Sequence, residues 1–409
     1  MKILYIHQHF RRPDEAGGSR PFDMASRLVR EGHEVIMLCA GREDRDYTIA
    51  GIRVLQLRSP YDNEMSLARR LFAFSTFAAR ATFTAAIENC DLVFASSTPL
   101  TVAVPALVTR RLRRVPMVFE VRDLWPEVPI RLGLIRNPFL ISAAHKLERV
   151  TYTRSSVVVA LSPAMVQGVR RVAPSVDVRL LPNTAQPQRF GSTNTRRHQL
   201  RSTLGIAPEH TLLLYAGSHG ITYNIPWLLK VAALTRDAGV RVVVLGQGTQ
   251  TEALRASCRE LGLDPAMVIR GEVSKDEVVD YYGAADAVVS CLIDDEALAD
   301  NSLNKVFDAF ASGKPLLFNH DGWLANLAAS HGAGWRLDTS PEVAAEELSR
   351  LVSADPWVDA GAASAQLSEG DFNVDNIARE FESILSAALH SSELSHSSSP
   401  TLRRKTPVL

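Results

Sequence analysis

Residues 211–230, TLLLYAGSHGITYNIPWLLK, carry a strand-length apolar run into a glycine loop and then into a helical pattern. The same order recurs downstream, where the runs RVVVLG, MVIRGE, DAVVSC and KPLLFN follow at spacings of about 20 to 30 residues with helical stretches between them. Apolar runs of this length alternating with helices mark a parallel sheet covered on both faces. The chain also opens this way, with strand one leading into HQHFRRPDEAGGSR and a helix over Arg20–Glu31 that stops at Gly32. In this first half, strands are expected at Ile3–His7, Glu34–Leu38, Ile52–Leu57, Asp91–Ala95, Met117–Val121, Ser156–Leu161 and Val178–Leu181. The fold class is therefore α/β, two doubly wound Rossmann-like domains facing each other across a cleft, with ligands at the carboxyl ends of the strands.

The polar stretch Asn183–Arg201 reads as the linker, so the domains are expected at 1–184 and 185–370. Phe372, Ile377, Phe381 and Leu385 lie at helical spacing, and a helix over 371–390 is expected to complete the first domain. Residues 391–409 have little to bury and read as a disordered tail.

At 409 residues the length suits two or three domains. The 45 basic and 45 acidic residues give no global field for nucleic acid. No apolar run approaches the roughly 18 residues of a membrane span, and the N-terminus lacks the pattern of a signal peptide. Cys39, Cys90, Cys258 and Cys291 are far apart and read as reduced thiols of a cytoplasmic protein.

Gly17-Gly18-Ser19 precede a helix, and glycines let the backbone approach an anion held by free helix amides; a GG pair there is also often only a turn. There is no GxGxxG after strand one, which argues against an ordinary dinucleotide-binding enzyme. The most informative segment is 294–316, DDEALADNSLNKVFDAFASGKPL, joining a buried strand to a helix expected to start near Ser302. Asn304 and Lys305 fall in its first turn, where the helix dipole favours acids over a lysine. A bound diphosphate resolves that conflict; the plain alternative is a solvated surface lysine. RDLWPE, at 122–127, follows a strand and so faces the cleft: Arg122 suits phosphate or a sugar hydroxyl, Asp123 and Glu127 can accept from hydroxyls, and Trp125 offers a flat face. The same run also reads as a helix start with an early proline.

The segment Asp300-x7-Asp308-AFASGKP resembles the donor signature of retaining glycosyltransferases of family 4, which have the GT-B fold, with aspartates where that family usually has glutamates. The resemblance extends over nearly the whole chain, through SSTPLTV, FEVRDLWPEVPIRLG, LSPAM, LPN, YAGSHG, LGQG and GEVSKDEVVDYY. RDLWPE is similar to the branch that builds bacterial surface polysaccharides, including N-acetyl-fucosamine transferases of O-antigen assembly. The resemblance implies that Asp300 contacts the transferred sugar and Asp308 the ribose hydroxyls, with Leu303, Asn304 and Lys305 on the diphosphate. It implies a catalytic set of Arg122, Asp123, Asp300 and Lys305. Donor binding falls to Gly17, Gly18, Ser19, His219, Gly246, Glu272, Leu303, Asn304 and Asp308, and acceptor binding to Trp125 and Glu127. One departure stands out: Gly217–Asn224 lacks the arginine and lysine that many members place on the diphosphate there, which leaves His219 as the local candidate.

His7 and His9 form an HxH on strand one, too few ligands for a metal site. No cofactor or metal is expected, only a nucleotide-diphosphate sugar as co-substrate. Leu67, Leu71, Phe74, Ala78 and Ala81 make a helical stripe with Arg69, Arg70 and Arg80 beside it, and Arg110, Arg111, Arg113 and Arg114 form a second basic cluster. Peripheral contact with the inner face of a membrane and a core-facing helix with solvated arginines both account for the stripe. The function expected is metal-independent transfer, with retention, of a hexosyl or N-acetylhexosaminyl group to a glycan or lipid-linked acceptor. A nucleotide-sugar epimerase on the same scaffold and a non-catalytic subunit are the alternatives.

Overall fold

The computed structural model describes residues 1–397 except 13–14, 16–19, 62–64, 124, 132, 134, 191–193, 296–297 and 299–300. The first sheet has eight strands: β1 Lys2–Ile6, β2 Glu34–Gly41, β3 Arg45–Ile49, β4 Ile52–Arg58, β5 Leu92–Ser96, β6 Met117–Val121, β7 Val157–Ala160 and β8 Val178–Leu180. The second has six: β9 Thr211–Ala216, β10 Val240–Leu245, β11 Ile269–Arg270, β12 Ala287–Ser290, β13 Leu316–Phe318 and β14 Gly334–Arg336. Their orders are β3-β4-β2-β1-β5-β6-β7-β8 and β11-β10-β9-β12-β13-β14. Every pair is parallel except β3 with β4. The two doubly wound sheets read from the sequence are present, each flanked by apolar layers on both faces.

Three elements differ from the sequence reading. Strand β3, RDYTI, is polar and exposed and shows no apolar run; it pairs antiparallel with β4 through Ala50-Gly51, both at positive φ, a two-residue hairpin turn. Strand β14 is only three residues long. The stretch taken as a linker holds helices Pro187–Phe190 and Asn194–Thr203. Arg197 and Arg201 of the latter reach Asp286 at 2.5 and 2.9 Å, which fastens it to the second domain.

The helix Val374–Ser397 returns to the first domain, where Ile377, Phe381, Ile384 and Leu385 pack with Ile3, Tyr5 and Phe94. It extends through 391–397, which the sequence reading placed in a disordered tail; residues 398–409 lie outside those described. The chain crosses between domains twice, side by side: the Ala185 amide donates to Phe372 O at 2.7 Å and the Val374 amide to Ala185 O at 3.1 Å. Of the stripe Leu67, Leu71, Phe74, Ala78 and Ala81, the last three are buried, as a core-facing helix requires; Leu71 is half-buried, and the side chain of Leu67 lies outside those described.

Candidate active site

The second domain builds the site around the helix Asn304–Ala311. Its N-cap is Leu303, which offers no side-chain acceptor, and the helix begins two residues later than expected, at Asn304. Strand β12 runs into this segment, and the loops after β9 and β10 close over it. Lys305 is not the solvated lysine of the plain reading. It is 7% exposed, and its Nζ lies 3.5 Å from the ring centre of Tyr215 and 4.6 Å from that of Tyr223, with no hydrogen-bond partner. Burial lowers its pKa to about 7, and the nearby Cys291 opposes the shift.

Two more polar atoms beside this helix start lack partners: the buried Ser302 Oγ and His219 Nε2. His219 is held through Nδ1, 3.0 Å from Thr251 Oγ1, and burial holds its pKa below the ordinary histidine value, which favours the neutral ring. Glycine is required here by close approach. A Cβ on Gly246 would lie 1.9 Å from Gly217 O and 3.5 Å from His219 Nε2, and one on Gly217 would lie 3.2 Å from Lys305 Nζ. The expected residues Gly246, His219 and Lys305 are thus brought together, with Gly217 as an addition. Buried polar atoms are normally satisfied, and each exception calls for an explanation. Three unsatisfied groups at or beside an uncapped helix N-terminus are an arrangement able to hold an anion.

Asp308 sits a turn further along and is part-buried. Burial pushes its pKa up to about 7, against the pull of Arg189 and Lys275; Asp23, from the first domain, pushes the same way as burial. Lys275 is buried with an unpartnered Nζ, and its pKa is lowered by burial and then by Arg189. Sequence reasoning missed Lys275, although it stands in the quoted run GEVSKDEVVDYY. Asn304 is exposed, Leu303 packs on the second core, and Glu272 is exposed and accepts from Gln247 Nε2 at 2.6 Å. Gly17, Gly18, Ser19 and Asp300 lie outside the described residues.

On the facing domain, Arg122 and Asp123 follow β6. The Arg122 amide donates to Ser97 Oγ at 3.0 Å, and the Asp123 carboxylate accepts from Thr98 Oγ1 at 2.5 Å. Asp123 is close enough to the other domain for its charge to add to the raised pKa of Tyr223, which is due mainly to burial. Trp125 packs against the first core, so its ring is only partly available to an acceptor. Glu127 is exposed and pairs with Arg131 at 3.3 Å; Arg131 also approaches Asp295 across the cleft at 3.9 Å. Asn183 Nδ2 donates to Ser302 O at 2.7 Å, tying the crossover to the stretch just before the Asn304 helix.

One further correction concerns the first strand. It ends at Ile6, so His7 and His9 do not share a strand face. His7 Nδ1 lies 3.2 Å from Ser96 O with its pKa well below the ordinary value through burial, and His9, lowered to about 4 mainly by burial, packs on Tyr61. A buried network also went unread. Arg20, directly after the glycine loop, pairs with Glu120 of β6 at 2.9 Å and donates to Leu181 O and Pro182 O. Glu120 accepts from Ser96 Oγ at 2.6 Å as well.

Comparison with known proteins agrees with this layout. Residues 17–184 match the Glycosyl transferase 4-like domain and residues 196–363 match Glycosyl transferases group 1. An uncharacterized glycosyltransferase of Methanocaldococcus jannaschii is 22% identical over 337 residues, covering 81% of this chain and 83% of that protein. Alpha-monoglucosyldiacylglycerol synthase of Streptococcus pneumoniae is 25% identical over 157 residues, 37% of this chain and 34% of that one. Sucrose-phosphate synthase from Thermosynechococcus elongatus superposes with a TM-score of 0.75 at 18% identity, over 95% of this chain and 99% of that one. Anabaena HepE, solved with UDP and glucose, superposes at 0.72, also at 18% identity, over 95% and 100%. With both halves matched in order on the GT-B fold of these neighbours, the chain belongs to the group 1 glycosyltransferases, a glycosyl transferase 4-like domain followed by a group 1 domain.

Proposed function

We propose that the chain moves a hexosyl or N-acetylhexosaminyl group, with retention, from a nucleotide-diphosphate sugar to a hydroxyl of a glycan or lipid-linked acceptor. The place of this reaction is cell-surface polysaccharide synthesis on the cytoplasmic side of a membrane. The observation that carries the donor reading is the group of unpartnered atoms at the start of the Asn304 helix: Lys305 Nζ, Ser302 Oγ and His219 Nε2. A diphosphate there accepts from the ammonium, the hydroxyl and the helix amides at once. Neighbours of this fold solved with UDP and UDP-glucose make UDP the nucleotide to test first.

In this reading Lys305 and the helix amides stabilise the charge that grows on the leaving diphosphate as the glycosidic bond loosens. Lys305 takes the place of the absent arginine–lysine pair, because a neutral His219 can donate a hydrogen bond but supplies no charge. Ionised Asp308 accepts from the ribose hydroxyls, Asp300 orients the sugar, and Arg122 and Asp123 face them from the acceptor domain.

The carboxylate roles separate in binding. Asp308→Ala should weaken UDP and UDP-sugar alike, whereas Asp300→Ala should spare UDP and weaken the sugar donor by about tenfold, the size of one hydrogen bond to a charged group. Calorimetric titration of both ligands into both variants reads this; equal losses throughout would mean that the pair is misassigned.

Because fixed cations and amides carry the leaving-group charge, transfer should proceed unchanged in excess EDTA. Among the described residues no group of three or more His, Cys, Asp or Glu is placed to hold a metal ion. Loss of activity on chelation, restored by manganese or magnesium, would overturn this part of the proposal.

A further inference from the structure

The helices Leu67–Ile87, Ala103–Arg113 and Pro138–Arg154 lie together on one face of the first sheet, and their inner sides are core: Phe77, Ala81, Ala106 and Tyr152. Their outer sides are not those of ordinary surface helices. Phe72, Phe83 and Phe139 are 75%, 78% and 83% exposed, and Ile87, Leu112 and Leu140 are also largely open. These residues recur at helical spacing: Phe72, Ala79, Phe83 and Ile87 on the first helix, Val104, Val108 and Leu112 on the second, and Phe139, Ala143 and Val150 on the third. Every phenylalanine that is exposed among the described residues is on this face.

The charge on these helices is as one-sided as the apolar exposure. Each has three lysines or arginines, nine in all, against a single acid, the buried Glu148. Arg114 follows directly. The chain as a whole carries no net charge, so this basic face is a local concentration. No ion pair holds Arg69, Arg110, Arg111, Arg114, Lys146, Arg149 or Arg154 among the described residues.

Aromatic and aliphatic side chains interleaved with unpaired cations on a helix face suit the boundary between lipid headgroups and acyl chains. Anionic headgroups neutralise the arginines while the phenylalanines leave water. A second copy of the chain would set one basic face against another. Each of these helices starts at the carboxyl end of a strand, so Phe72, Val104 and Phe139 stand at the cleft end of the face. We infer that the outer face of these three helices docks the first domain on an anionic lipid bilayer with the cleft mouth near the surface. The inference does not depend on the transfer reaction. No helix among the described residues is long and apolar enough to cross a membrane, so attachment of this kind is peripheral.

Flotation of the full chain with vesicles tests it. The chain should float with vesicles of phosphatidylglycerol and phosphatidylcholine in equal parts and stay behind with phosphatidylcholine alone. At about 1 M salt, where charges are screened within about 3 Å, the charge-driven part should vanish. Each arginine near the surface is worth about fivefold in partitioning, so Arg110→Glu/Arg111→Glu/Arg114→Glu should lower binding by more than a hundredfold. Phe72→Ser/Phe83→Ser/Phe139→Ser should lower it by at least tenfold. Both variants should keep the wild-type melting temperature and the wild-type thermal shift with UDP, which separates lost docking from lost folding or donor binding. Failure of the wild type to float with anionic vesicles, or undiminished flotation of both folded variants, overturns the inference. So does a wild-type dimer in sedimentation that the phenylalanine variant dissolves, which would make the face a contact between copies.

Discussion

Lys305→Met should cut turnover by well over tenfold and weaken nucleoside diphosphate binding by about tenfold or more. A charge-assisted contact to phosphate is worth roughly 1.5–3 kcal/mol, and loss of turnover exceeds loss of binding because charge on the leaving group is greatest in the transition state. The same substitution should leave the apo protein at least as stable. A lysine is held without a partner between Tyr215 and Tyr223, with its pKa lowered from 10.5 to about 7. The folded chain therefore binds fewer protons here than the unfolded chain between about pH 7 and 10.5, so this group makes stability rise with pH across that window. Methionine removes the cost of the buried cation, and the gain should be larger at pH 6 than at pH 10. Melting curves at both values check the sign. A clear drop in apo melting temperature with unchanged nucleotide affinity would show a structural lysine and move the diphosphate contact to Arg122 or His219.

The largest effect on stability is expected at Arg20. Its ion pair with Glu120 is sealed, with both side chains 3% exposed or less, and its other donors hold Leu181 O and Pro182 O. Arg20→Ala leaves a buried carboxylate without its cation, a change that costs about 3–5 kcal/mol. At 2–4 °C per kcal/mol for a domain of this size, melting of the first domain should fall by roughly 6–20 °C. Glu120→Gln in the same chain should recover part of the loss. The wild-type pair also sets an acid limit. Burial raises the Glu120 pKa, but Arg20 and then Arg122 outweigh it, and the net shift is downward. Its contribution is thus present above the ordinary glutamate value and is lost as pH falls through the lower folded value. Donor binding should weaken as well, because the Arg20–Glu120 pair ties the chain directly after Gly17-Gly18-Ser19 to β6, the strand that Arg122 follows. A fall in stability below 1 kcal/mol would mean that the pair is dispensable.

The parallel strands were legible because burial on both faces makes them continuous apolar runs; Met117–Val121 has the bounds read from the sequence. What the sequence hid was whatever depends on a distant partner. Strand β3 is polar and relies on β4, and Arg197 and Arg201 look like linker residues until Asp286 is placed beside them. The aromatic positions of the Leu67–Ile87 helix point both ways. Phe74 faces the core while Phe72 faces solvent, and helical spacing alone does not say which stripe is which. At the site, the position of Lys305 in the first turn was readable, but its burial was not, since Tyr215 and Tyr223 arrive from another strand and loop. Lys275 and Asp23 were unread for the same reason: their relation to Asp308 exists only once helices from two domains meet.

In the proposed reaction the cleft breaks the bond between sugar and diphosphate and passes the sugar on. The direct measurement is incubation of the chain with UDP-sugars and glycan or lipid-linked acceptors in deuterated water, followed by NMR of donor and product. Transfer predicts release of UDP and a glycosylated acceptor whose anomeric configuration matches that of the donor, with no deuterium in the sugar ring. Deuterium entering a ring C–H position while the sugar–diphosphate bond stays intact would contradict the account and show an epimerase.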